Sequence, residues 1–217
     1  MTLELYLIRH GESEWNRSSR YTGQQDIPLS ETGREQARRL AHRLVGVKFA
    51  AIYASPLRRA RETAHILGSI TQTRVTLEPG LAEIHHGQWE GLTPLQVAEK
   101  FGSDYARWRT QPHTVVMPQG ESLADVMQRA EQSLRRILAE HPRGKIAVCS
   151  HDAVIRVLLL KTLGLSLEHF WKWSFENAAL NILQCSGEGD RRTWRLLRLN
   201  DTTHLDGIYS DCALQAL

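Results

Sequence analysis

Apolar and polar positions fall into blocks of two periods along the chain. Residues 3–8, Leu-Glu-Leu-Tyr-Leu-Ile, are a short and mostly apolar run, which predicts a buried strand. Ala37, Leu40, Ala41 and Leu44 then recur at i, i+3, i+4 and i+7, one stripe of a helix, with Thr32 and Glu35 spaced as a capping box. A second strand over 50–54 stops at Ser55-Pro56, a helix runs to about residue 67, and a short strand follows over 74–78. Residues 122–141 form a long helix with Leu123, Val126, Met127, Ala130, Leu134, Ile137 and Leu138 on one face. It leads into a strand over 145–150 and a helix over 152–163. Runs over 179–185 and 194–199, joined by the turn-rich Ser186-Gly187-Glu188-Gly189-Asp190, read as a closing hairpin.

Between residues 91 and 120 the pattern is mixed. Pro94, Pro112 and Pro118 interrupt it, and Trp108 reads as an exposed aromatic, so this stretch is expected to be a small helical cap insertion. Strands separated by helices predict an α/β three-layer sandwich with a mainly parallel central sheet and helices on both faces. The whole chain, 1–217, is expected to be one domain.

Composition narrows the partners. The 27 Lys and Arg exceed the 24 Asp and Glu by three, and the cations are mostly Arg. A charge so small and so spread argues against nucleic-acid or membrane-surface binding, and the Arg191-Arg192 pair is too short for a basic patch. Arg suits planar, bidentate recognition of carboxylate or phosphate. No apolar run reaches the ~20 residues of a membrane span, and the N-terminus has no basic region before its apolar stretch. Cys149, Cys185 and Cys212 are an odd set without metal spacing, so a reduced, cytoplasmic protein is expected. His85 and His86 are adjacent and cannot easily share one ion, so neither a metal nor a cofactor is expected.

In an open α/β sheet, ligands bind beyond the carboxyl ends of the strands. Arg9, His10, Gly11 and Glu12 follow the first strand. Ser55, Pro56, Leu57 and Arg58 follow the second, Glu83 and His86 come a loop after the third, and His151 follows the 145–150 strand. His10, His151, Arg9, Arg58 and Glu83 thus converge on one sheet edge. A neutral imidazole can attack phosphorus, fixed guanidinium groups can hold the charge on its oxygens, and one carboxyl group can give and then take a proton.

Residues 7–16 (Leu-Ile-Arg-His-Gly-Glu-Ser-Glu-Trp-Asn), Arg20-Tyr21-Thr22-Gly23, Ser55-Pro56-Leu57-Arg58-Arg59-Ala60, Glu83-Ile84 with Gly87 and Trp89, Gly120-Glu121-Ser122 and Ser150-His151 resemble the histidine phosphatase, or phosphoglycerate mutase-like, superfamily. The resemblance implies that His10 is phosphorylated during turnover, that Arg9, Arg58 and His151 hold the phosphoryl group, and that Glu83 is the proton donor. Asn16, Thr22 and Gly23 match positions that touch the phosphate or the substrate. Arg59 and Arg61 are expected to point elsewhere on their helix. Further segments are similar to the metal-independent phosphoserine phosphatases of that superfamily, which implies that His86 and His204 bind the amino-acid part. The expected partner is a small phosphorylated metabolite with L-phosphoserine leading, while a phosphoglycerate mutase or an α-ribazole-phosphate or broad-specificity phosphatase stays open. The apolar edge hairpin allows a homodimer.

Overall fold

A computed structural model of the chain describes residues 2–187, 192–210 and 215–216. The turn residues Glu188, Gly189, Asp190 and Arg191, and Cys212, lie outside them. The first strand, β1 (Thr2–Arg9), alternates its side chains between two buried faces, with Tyr6 and Ile8 on one and Leu5 and Leu7 on the other. Burial on both faces is why its apolar run is nearly continuous rather than alternating. The other strands are β2 (Ala51–Ala54), β3 (Val75–Leu77), β4 (Gly144–Ser150), β5 (Leu180–Ser186) and β6 (Thr193–Asp201). They form one sheet in the order β3-β2-β4-β1-β5-β6. The strands β3, β2, β4 and β1 pair in parallel, with Leu5 opposite Ile146, and β5 and β6 close the sheet antiparallel. The sandwich is therefore three-layered with a mainly parallel sheet.

Helices cover both faces. The helices α2 (Glu31–Arg43) and α3 (Arg58–Thr71) lay Leu40, Ala41, Ala64 and Leu67 on Tyr6, Ile8, Ile52 and Ala147. On the other face α5 (Leu123–Glu140) and α6 (Asp152–Thr162) bury Val126, Leu134, Ile137, Val154 and Leu158 against Leu5, Leu7, Ile146 and Val148. A one-turn helix, α1 (Glu14–Arg17), follows the loop after β1.

The start of α2 differs from the expected Thr32–Glu35 box. Its N-cap is Ser30, whose hydroxyl accepts from Gly33 N–H at 3.0 Å, while Glu35 bonds Arg38 and Arg39. Ser30 wins because its backbone is still extended where the cap must sit.

The cap insertion is built on α4 (Pro94–Thr110), which is broken at Phe101 by non-helical dihedrals. Trp108 is not exposed. Its ring is 0% accessible, packed edge-on against Trp89 and Trp171 at centroid distances of 6.4 and 5.4 Å. The cap is thus an extension of the α5–α6 core rather than a separate surface layer. No helix among the described residues is long and apolar enough to cross a membrane.

Candidate active site

Three parallel strands end on one edge of the sheet, and each delivers a polar residue there. β1 hands over to His10, β4 to His151, and β2 to Ser55 and the first turn of α3. The His10 N–H donates to the Ser150 carbonyl, and Ala178 N–H donates to the His10 carbonyl, each at 3.0 Å. The residue is pinned between β4 and the approach to β5. Gly11 and Gly33 make the next turn feasible, since a Cβ on Gly11 would strike the Gly33 carbonyl and one on Gly33 the Glu12 carbonyl.

The imidazole of His10 is oriented by its neighbours. Its Nδ1 lies 2.7 Å from the Gly11 carbonyl oxygen, so Nδ1 carries the proton and donates. Nε2 is left with the lone pair, to which the Nε–H of Arg59 donates across 3.2 Å. Burial, followed by the charges of Arg59 and Arg9, holds the ring well below the usual histidine range, so it is neutral at pH 7. The His151 ring stands edge-on at 5.0 Å from that of His10. Its Nε2 bonds the Ser55 hydroxyl at 2.7 Å, its Nδ1 is buried without a partner, and burial and then Arg59 keep it neutral too.

Glu83 reaches the cluster by way of the 3₁₀ turn Pro79–Leu81. One carboxyl oxygen accepts from Ile84 N–H at 2.9 Å. Burial lifts its pKa to about 7, with Arg59 pulling the other way. Its loop is clamped by Arg129 of α5, which donates to the carbonyls of Gly80 (3.0 Å), Ala82 and Glu83 (2.9 Å). The same guanidinium grips both oxygens of Glu121 at 2.7 and 2.9 Å, and Glu121 accepts from His85 N–H at 2.9 Å. A carboxyl group whose backbone is held this way keeps its place when its charge changes.

Arg9, His10, Asn16, Thr22, Gly23, Glu83 and His86 line one cavity of about 20 Å³ with Arg59, Asp152 and Ala216. Asn16 Oδ1 is taken by the N–H and hydroxyl of Ser13, which leaves its amide NH₂ for the pocket. Gly23 holds a left-handed φ of +51° and offers its carbonyl to Arg59 at 2.7 Å. His86 is 1% exposed, with neither ring nitrogen bonded, and burial followed by Arg59 pulls its pKa to about 3.

Two expected residues are elsewhere. Arg58 faces solvent and pairs with Glu62 at 2.6 Å, one helical turn on. The group beside His10 is Arg59, 1% exposed, whose remaining donors go to the carbonyls of Gln25 (2.9 Å) and Gly23 (2.7 Å). Arg59 belongs to the buried face of α3 with Thr63 and Leu67, at i, i+4 and i+8, whereas Arg58 shares the wet face with Glu62. That stripe is the sequence signal that identifies it. His204 is half-buried behind the 177–179 segment, its Nε2 at 3.1 Å from the Ala178 carbonyl, and it does not line the cavity.

Other participants carry no local sequence signature. Asp152 takes two hydrogen bonds from Arg156 (2.8 and 3.1 Å) and lies 4.0 Å from Arg9. Arg9 also donates to the Phe175 carbonyl and, at 2.7 Å, to the side-chain oxygen of Gln215 near the end of the chain.

Known proteins resemble the chain over most of its length. Residues 5–202 match the histidine phosphatase superfamily (branch 1). The chain is 36% identical over 207 residues to phosphoserine phosphatase 1 of Hydrogenobacter thermophilus, spanning 95% of this chain and 96% of that protein. It is 31% identical to a probable phosphoglycerate mutase, GpmB, of Photorhabdus laumondii, over 94% of this chain and 95% of the other. The solved structure of mycobacterial glucosyl-3-phosphoglycerate phosphatase superposes with a TM-score of 0.86 at 30% identity, covering 92% of this chain and 99% of that one. The chain belongs to the histidine phosphatase superfamily, and it is a phosphoric monoester hydrolase.

Proposed function

We propose that the chain hydrolyses a small phosphomonoester through a phosphohistidine formed at Nε2 of His10. The observation that carries the reading is the orientation of that ring: Nδ1–H is tied to the Gly11 carbonyl, and Nε2 presents its lone pair beside Arg59. In the first step Nε2 attacks phosphorus, the ester P–O bond breaks, and the leaving alkoxide takes the proton of the Glu83 carboxyl group. In the second, water attacks the phosphohistidine, the Glu83 carboxylate takes a proton from it, and the P–N bond breaks to release phosphate. His10 ends neutral, as it began. Arg59 and Arg9 are the fixed cations for the charge on the transferring oxygens, while His151 stands beside the His10 ring without lining that cavity.

The substrate favoured is L-phosphoserine. An unbonded, neutral imidazole at His86 can accept from an ammonium group or donate to a carboxylate, which an amino-acid ester would supply. The 36% identity to a protein named phosphoserine phosphatase supports the same choice. Phosphate release from phosphoserine, 3-phosphoglycerate, α-ribazole phosphate and p-nitrophenyl phosphate tests it. Phosphoserine should give the highest kcat/KM, and a value no better than that of the generic ester would overturn the choice. A mutase would instead interconvert 2- and 3-phosphoglycerate without net release of phosphate.

A further inference from the structure

Arg59 is a residue of α3, yet two of its guanidinium nitrogens rest on a loop from another part of the chain. Nη1 donates to the Gln25 carbonyl at 2.9 Å and Nη2 to the Gly23 carbonyl at 2.7 Å, which leaves the Nε–H aimed at Nε2 of His10. Residues 22–26 belong to no helix or strand, so no backbone ladder fixes where those carbonyls stand.

A carboxylate holds them instead. Glu90 follows the 3₁₀ turn Gly87–Trp89, whose Trp89 is fully buried, and its own side chain is 6% exposed. Its Oε1 accepts from the Gln24 N–H at 2.9 Å and from the His86 N–H at 3.2 Å, and its Oε2 accepts from the Gln25 side-chain amide at 2.7 Å. One buried carboxylate thus joins the 23–25 loop to the 86–90 segment through charge-assisted hydrogen bonds, the stronger kind. The fit is close: a Cβ on Gly23 would lie 2.0 Å from Oε1, so any other residue there would push the carboxylate off the loop. At the far end, Asp26 accepts from the Arg58 N–H at 2.6 Å and ties the loop to the start of α3. Gln24 also donates to the Glu83 carbonyl at 3.0 Å, but Arg129 holds that carbonyl as well, at 2.9 Å. Arg59 is therefore the group that depends on the loop.

We propose that Glu90 is a positioning residue of the active site: it sets the Gly23 and Gln25 carbonyls, and through them the aim of the Arg59 guanidinium at Nε2 of His10. Glu90 does not itself line the phosphoryl cavity. The proposal rests on the phosphohistidine reading but not on the choice of phosphoserine.

A double-mutant cycle tests it, with kcat and KM measured on phosphoserine and p-nitrophenyl phosphate. Glu90→Ala should lose about 10- to 100-fold in kcat, because a displaced cation no longer meets the transferring group in register. Glu90→Gln should recover part of that loss, since its amide oxygen can still accept from the Gln24 N–H. In an Arg59→Ala background the same Glu90→Ala change should cost no more than about twofold, because the group it aims is gone. Losses that multiply in the double variant, or no loss in Glu90→Ala alone, would overturn the proposal and leave Glu90 a purely structural residue. Where Glu90→Ala does not fold, Glu90→Gln closes the same cycle. If the wild type released phosphate from neither ester, the phosphomonoesterase reading would fall and this proposal with it, a result that no Glu90 variant can mimic.

Discussion

Two adjacent arginines at the start of α3 meet opposite surroundings. Arg58 points into water and pairs with Glu62, an exposed i,i+4 contact of the kind worth about 0.3–0.5 kcal/mol. Arg59 is buried, bonds two backbone carbonyls and directs its Nε–H at Nε2 of His10. Burial draws even its guanidinium pKa down to about 10, yet it stays charged at neutral pH. The two residues are chemically identical, so the difference is one of place. A helix turns about 100° per residue, and only one of two neighbours can face the strand ends. A cation held without water around it acts on developing charge far more strongly than one in solvent.

Substitution separates the buried groups from the exposed ones. Glu83→Gln should cost the most, about 10²- to 10⁴-fold in kcat, because in the proposed reaction the buried carboxyl supplies the proton. Arg59→Ala should cost about 10²- to 10³-fold in kcat/KM by loss of a preorganised cation. Arg129→Met should cost about tenfold by loosening the Glu83 loop, with the pH profile shifted and partial recovery in Arg129→Lys. Arg58→Ala should change kcat/KM by no more than about twofold. If Arg58→Ala were the more damaging of the two arginine variants, the assignment of Arg59 would be wrong.

The pH dependence is set by the same environments. Glu83 must carry its proton in the first step, so kcat should fall as pH rises past about 7, and that limb should vanish in Glu83→Gln. The folded chain holds the Glu83 proton from about 4.5 up to about 7, where the unfolded chain releases it. Stability therefore declines as pH rises through that window. Glu83→Gln should raise thermal stability at pH 8, by on the order of 3 kcal/mol, and hardly at pH 4. His10, His86 and His151 have the opposite sign. They are neutral when folded, so acidification below 6.5 protonates the unfolded chain first and destabilises the fold. Denaturation midpoints at several pH values check both.

The sheet and most of the pocket are legible in the sequence because they obey local rules. The strand β1 announces itself by its apolar run, and Arg9-His10-Gly11 by its position at the end of that strand. Arg59 is legible too, but only through the stripe it shares with Thr63 and Leu67; assigning the α3 cation to Arg58 ignores the helix phase. Trp108 reads as exposed because the cap sequence is irregular, while its burial depends on rings over sixty residues away at Phe170 and Trp171. The contact of Gln215 with Arg9 spans nearly the whole chain. No local period encodes such a contact. His204 shows the reverse error, a residue near the site in fold but turned to the Ala178 carbonyl.

The proposed reaction stands on covalent phosphorylation of His10 at Nε2. Rapid quenching of turnover at neutral or alkaline pH, followed by mass spectrometry of the peptide containing His10, tests it most directly. An acid-labile phosphoryl group should form and decay on His10 within one turnover, and accumulate in Glu83→Gln when an activated ester with a good leaving group is used. Full phosphatase activity in His10→Ala, or turnover with no phosphoryl group ever found on that peptide, would contradict it.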